Sequence, residues 1–128
     1  MRTTAKLHAP PTAAVVTEGM LARVGGDREL LADVIGFFLE DGPTLITTIR
    51  NGLVDGNYTA VHRAAHSLAG SAGNFDATAV TALARNLEAQ AIAVNTPASR
   101  EAFSELETET SQLLAYLTAI RATLSCAS

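Results

Sequence analysis

The chain has 128 residues, of which 48% are hydrophobic, 17% are charged and only 5% are aromatic. This length fits one compact domain, and the composition is that of a folded globular protein rather than a disordered one. The scarcity of aromatic residues argues against an all-β sandwich. A formal net charge of −4 with a single lysine argues against a nucleic-acid-binding surface.

The sequence contains no segment that is expected to enter a membrane. No apolar run reaches the roughly 20 residues that a membrane-spanning helix needs, and the N-terminal residues lack the apolar middle part of a signal peptide. Cys126 is the only cysteine, so it has no partner for an internal disulfide. We therefore expect a cytoplasmic monomer that binds neither membrane nor nucleic acid.

The chain begins with a segment that is expected to lie outside the folded domain. Residues 1–12 are predicted to form a flexible tail, because Pro10 and Pro11 block a helix. A short helix from about Thr12 to the Gly25-Gly26 pair follows. Its apolar residues are Val16, Met20, Leu21 and Val24.

A second, longer helix is predicted after Asp27, which is a plausible N-cap. Gly42-Pro43 interrupts the pattern and predicts either a kinked helix or two helices packed end to end. The apolar stripe consists of Leu30, Leu31, Val34, Phe37, Phe38, Leu45, Ile49 and Leu53.

Three further helices follow, separated by turn residues. The third has Asn57 as its cap and an apolar face of Val61, Ala64, Ala65, Leu68 and Ala72. Asp76 is expected to cap the fourth, which aligns Val80, Leu83, Ala84, Leu87, Ala91 and Val94. The last helix follows a break at residues 95–97 and aligns Phe103, Leu106, Thr110, Leu113, Leu117, Ile120 and Leu124. The pattern predicts an all-α domain over residues 13–128: an up-down antiparallel four-helix bundle with a short additional N-terminal helix.

The third helix carries a histidine with very small neighbours. On a helical projection, His66 lies about 140° from the centre of the apolar stripe, so its ring is expected to point outward. The residues that would cover the ring, one turn further on, are Ala69 and Gly70. Since glycine costs about 1 kcal/mol of helix stability relative to alanine, the pattern favours a ring left open to another molecule. His62 lies one turn earlier, but no third ligand accompanies the two rings, so no metal site is expected.

His66, Leu68, Gly70 and Ser71 form a short motif at the end of this helix. The acidic residues before Gly42-Pro43 and the Leu87-Glu88 pair of the fourth helix complete the pattern. This combination resembles the histidine phosphotransfer (Hpt) domains of multistep two-component phosphorelays. The resemblance extends over nearly the whole chain from about residue 13.

The resemblance implies a phosphocarrier rather than an enzyme. His66 is expected to accept a phosphoryl group from an aspartyl phosphate on a response-regulator receiver domain, or from a hybrid sensor histidine kinase, and to pass it to another response regulator. Neutral imidazole is a good nucleophile near pH 7. No cofactor is expected on this chain, since Mg²⁺ belongs to the receiver domain. The alternative is an Hpt-like helical adaptor that binds signalling partners without phosphotransfer.

The resemblance also implies roles for residues near His66. Glu88 stands where the family has a residue that hydrogen-bonds the far ring nitrogen, although it could be an ordinary solvated glutamate. Ser71 is a candidate to bind the phosphoryl group or to complete the helix end. Asp76 replaces a family glycine.

Ala69 is the main departure, because the family usually has a lysine there. Arg63 and Arg85 are candidates to supply the missing positive charge, although both could be ordinary surface arginines. Partners are expected to dock on apolar residues near the histidine. The candidates are Val16, Met20 and the exposed side of the second helix.

Overall fold

The computed structural model describes residues 16–126, and all regular secondary structure in that range is helical. The helices are α1 (Glu18–Ala22), α2 (Arg28–Asp55), α3 (Tyr58–Ala72), α4 (Thr78–Ile92) and α5 (Thr96–Cys126). A 3₁₀ turn, Gly73–Phe75, lies between α3 and α4. The predicted all-α class is confirmed. The predicted tail and the proposed helix start near Thr12 lie outside the described residues.

Side-chain caps fix where four of the helices begin. Thr17, Asp27, Asn57 and Asn95 each accept a hydrogen bond from the backbone N–H three residues later, at 3.0–3.1 Å. Each bond satisfies a donor that the first helical turn leaves without a partner. The predicted caps Asp27 and Asn57 are confirmed. Asn95, which the sequence pattern assigned to a break, is the cap of α5.

Helix α2 is one continuous helix with Pro43 inside it. Proline lacks an N–H, so the carbonyl of Leu39 has no helical donor at this point. Gly42 is buried, and a Cβ there would lie 3.4–3.5 Å from the side chains of Phe38 and Leu114. These are ordinary contact distances, so the packing of α2 against α5 has room for a small side chain at this position.

Two residues assigned to the buried stripe of α2 lie on its surface instead. Leu30 is 44% exposed and Phe37 is 65% exposed. In an α-helix, adjacent residues differ by about 100° in direction, so only one member of each apolar pair faces the core. The core-facing residues of α2 include Leu31, Phe38, Ile35 and Ile46, of which the last two were absent from the predicted stripe.

The long helices surround a single core. Helix α2 packs against α3 and α5, and α4 packs against the same two helices. The predicted core face of α3 is fully buried. At one end of the core, the rings of Phe38 and Phe75 meet edge to face, with centroids 5.4 Å apart.

The connection between α3 and α4 differs from the predicted one. Asp76 does not cap α4; it has a left-handed backbone with a φ of 55°. Aspartate tolerates this conformation better than most residues other than glycine, which explains how it can stand in for the family's glycine. Its carboxylate also lies 2.7 Å from the guanidinium of Arg23, which ties the end of α1 to this connection.

Val94 was predicted to extend the apolar face of the fourth helix, and this prediction is wrong. The residue lies beyond the end of α4, with a φ of 54° and 61% of its surface exposed. In the described part of the chain, no helix is both long enough and apolar enough to cross a membrane.

Candidate functional site

His66 lies on the surface of α3, as the helical projection predicts. Its side chain is 68% exposed, whereas its helix neighbours Ala65 and Leu68 are fully buried. The buried face of α3 therefore fixes the helix rotation, and that rotation directs the imidazole away from the core.

Glu88 on α4 holds the ring from one side. Its Oε2 lies 3.0 Å from Nδ1 of His66, and its side chain is only 23% exposed. A carboxylate can only accept a hydrogen bond, so Nδ1 carries the proton and donates it. In the neutral ring, the lone pair then resides on Nε2, on the opposite side of the imidazole.

Helices α3 and α4 form a hairpin whose register places other residues around the ring. His66 and Glu88 are equidistant from Ala77 in the connection, and so are Gly73 and Thr81, which line one shallow depression. Two pairs in the same register define an antiparallel arrangement of these two helices.

The space beyond His66 on α3 is open. A Cβ added to Gly70 would meet no atom within 4 Å. Ala69, by contrast, is 1% exposed and belongs to the core. A buried methyl group cannot cover the ring, so the residue after Leu68 leaves His66 open, as the sequence analysis expects.

The remaining predicted site residues are distributed around this hairpin. Arg63 and Arg85 are both exposed, and neither forms an ion pair with a carboxylate among the residues that the structure describes. The hairpin register places Arg85 opposite Ala69. Ser71 is half-buried in the last turn of α3.

A family model described as the Hpt domain matches residues 33–123. The chain belongs to the Hpt domain family. Domains of this family are phosphocarriers, not enzymes, in the phosphorelays of two-component signal transduction. No curated protein and no solved structure matches the chain.

The surface expected to dock partners of this Hpt domain needs one correction. Met20 is only 2% exposed and packs in the core, so it cannot contribute to a docking surface. Val16 is half-buried. The exposed side of α2 carries Leu30 and Phe37.

One exposed apolar residue on α4 was not singled out by the sequence analysis. Ile92 is 63% exposed and lies four residues after Glu88, on the same side of α4. Its spacing of four residues from Glu88 was the sequence signal that could have drawn attention to it. Among the described residues, no group of three or more His, Cys, Asp or Glu side chains is arranged to hold a metal ion.

Proposed function

We propose that this Hpt domain receives a phosphoryl group on Nε2 of His66 from the aspartyl phosphate of a receiver domain and passes it to another response regulator. The observation that carries the proposal is the hydrogen bond from Nδ1 of the exposed His66 ring to Glu88. It holds the ring in the tautomer whose outer nitrogen has a lone pair for attack.

The proposed transfer is a simple displacement at phosphorus. The Nε2 lone pair forms the new N–P bond, the P–O bond of the acyl phosphate breaks, and the aspartate leaves as a carboxylate. The Nδ1 proton stays on the ring, which becomes positively charged beside Glu88. The same steps in reverse deliver the phosphoryl group to the next receiver.

The residues around His66 position the acceptor, and the partner supplies the rest of the chemistry. Mg²⁺ is proposed to reside on the receiver, where it offsets charge on the transferring group. Gly70 leaves the approach to the ring clear, since no atom lies within 4 Å of the place where its Cβ would be. Ser71 is assigned to the helix end rather than to the phosphoryl group.

We also propose that the four long helices alternate up and down, and the contacts of each long helix with two others support this bundle topology. The domain is further proposed to act as a monomer in the cytoplasm, together with receiver domains and a hybrid kinase. The partner is proposed to dock over His66 and the exposed side of α2, where Leu30 and Phe37 offer apolar surface.

Labelled phosphoryl transfer tests the proposal. The chain is incubated with a receiver domain that carries a radiolabelled aspartyl phosphate, and the label on the chain is tested for acid lability and base stability. We expect label on the parent protein and on His62→Gln, but none on His66→Gln. Binding of the receiver without any label on the chain would instead support the adaptor, and equal label on His66→Gln would show that His66 is not the acceptor.

A further inference from the structure

The helix that carries His66 differs from the others in charge. Helix α3 contains no aspartate or glutamate, whereas α1, α2, α4 and α5 each contain at least one. The whole chain has 13 acidic residues and a formal net charge of −4, yet this helix carries none of those residues. A phosphoryl group adds roughly two negative charges to the residue that carries it. A helix without carboxylates avoids repelling that charge.

Arg63 is the one arginine on this helix, and it lies three residues before His66. Side chains three apart on a helix are neighbours, with Cβ atoms about 5–6 Å apart. Both side chains lean toward the N-terminus of α3, so the lean keeps them side by side rather than separating them. The guanidinium is exposed and forms no ion pair with a carboxylate among the described residues.

Arg85 is less well placed than Arg63 to contact a group on the His66 ring. It lies opposite Ala69, one helical turn from the level of His66, and its side chain leans toward the N-terminus of α4 and thus further from the ring. Its nearest carboxylate along the helix is Glu88, three residues later. Arg85 thus shares α4 with the carboxylate that holds His66, whereas Arg63 has no carboxylate on its own helix.

We propose that the guanidinium of Arg63 binds the phosphoryl oxygens on Nε2 of phosphorylated His66, and so supplies the positive charge that a lysine at position 69 would otherwise provide. This inference rests on the proposed function of His66. Arginine suits the role because its planar donors match phosphate oxygens and remain charged at all relevant pH values.

The experiment uses the whole chain and phosphoramidate, a small donor that needs no partner. The N–P bond of phosphoramidate breaks, ammonia leaves, and the new N–P bond forms at His66. The initial rate is followed by ³¹P NMR for the parent and for Arg63→Gln, Arg63→Lys and Arg85→Gln. Arg100→Gln on α5 is the matched control, since Arg100 is also exposed.

We expect Arg63→Gln to slow phosphorylation about threefold, the scale of one exposed charge pair, and Arg63→Lys to restore most of the rate. The Nε–H signal of Arg63 should shift on phosphorylation, which a purely structural role would not cause. Equal rates for the Arg63→Gln and Arg100→Gln variants, or a shift at Arg85 instead, would overturn the inference but leave the phosphocarrier intact. A parent protein that takes no phosphoryl group at His66 from either phosphoramidate or a receiver overturns the proposed function itself.

Discussion

His66 and Glu88 are 22 residues apart in the sequence, yet Nδ1 of the histidine lies 3.0 Å from Oε2 of the glutamate. The two side chains differ in environment, because the histidine is 68% exposed and the glutamate 23%. The more buried Glu88 side chain therefore orients the exposed His66 ring. This pairing links the packing of α3 against α4 to the orientation of the ring.

The first prediction concerns Glu88 as the hydrogen-bond acceptor for Nδ1 of His66. Glu88→Ala should slow phosphorylation of His66 about fivefold, since one hydrogen bond of about 1 kcal/mol no longer fixes the tautomer. Glu88→Gln should retain most of the rate, because its side-chain oxygen still accepts from Nδ1. Initial rates with a phosphorylated receiver measure both. Equal rates for the parent and Glu88→Ala would show that the hydrogen bond does not orient the ring for attack.

A second prediction tests the open space beside the ring. Gly70→Gln should leave the fold intact and raise the free energy of unfolding by about 0.5–1 kcal/mol, because glycine is a poor helix former. It should nevertheless slow transfer from a receiver at least tenfold, since a long side chain at this position lies over the ring. Urea unfolding and receiver-dependent transfer rates separate the two effects.

Ala115→Gln on α5 is the control for Gly70→Gln, since Ala115 is also an exposed small residue on a helix. It should change neither the transfer rate nor the fold. Transfer by Gly70→Gln at the rate of this control would contradict the idea that the small residue keeps the ring accessible.

Helical periodicity predicted the rotation of α3 correctly because all five residues of its apolar face are buried. It placed His66 outward for the same reason. Helical periodicity failed where apolar residues are adjacent, as in Phe37-Phe38. Both residues fit the same apolar stripe, and the sequence does not show which of the two faces the core. In that pair Phe38 is 3% exposed and Phe37 65%.

The connection after α3 could not be derived from local sequence rules. Aspartate before a helix usually predicts an N-cap, but Asp76 adopts a left-handed conformation and binds Arg23 from α1 instead. That ion pair joins residues distant in the sequence. The contact of Glu88 with His66 is likewise tertiary, and only the resemblance to the family suggested it.

The third prediction contrasts two glycines within helices. A Cβ at Gly52 would lie 2.8 Å from Cγ2 of Val61 and 3.1 Å from the carbonyl oxygen of Asn57. Gly52→Ala should therefore lower the free energy of unfolding by about 1–3 kcal/mol, as overpacked sites do. Gly70→Ala should raise it by up to about 1 kcal/mol. Chemical denaturation of both variants checks the opposite signs, and stabilisation by Gly52→Ala would contradict the close approach of α2 and α3.

The fourth prediction concerns a buried hydroxyl on α5. Thr110 is 1% exposed, and its Oγ1 has no hydrogen-bond partner among the described residues. Thr110→Val replaces an unsatisfied polar group with an apolar one of similar shape, so it should raise the free energy of unfolding by about 1 kcal/mol. Thr118→Val is the comparison, because Thr118 is exposed and donates to the carbonyl of Leu114 at 2.8 Å. Thermal unfolding of both variants should show an increase for Thr110→Val alone.

The last prediction tests the exposed apolar side of α2 as part of the receiver-docking surface. Phe37→Ser should raise the KM for a phosphorylated receiver about tenfold, the effect expected on losing one buried aromatic contact at an interface, with the maximal transfer rate unchanged. Phe37 is already 65% exposed, so the free energy of unfolding should change by less than about 0.5 kcal/mol. Val54→Ser is the matched control, since Val54 is a 76% exposed apolar residue at the far end of the same helix. A KM that rises equally in both variants, or in neither, would place the receiver elsewhere on the domain.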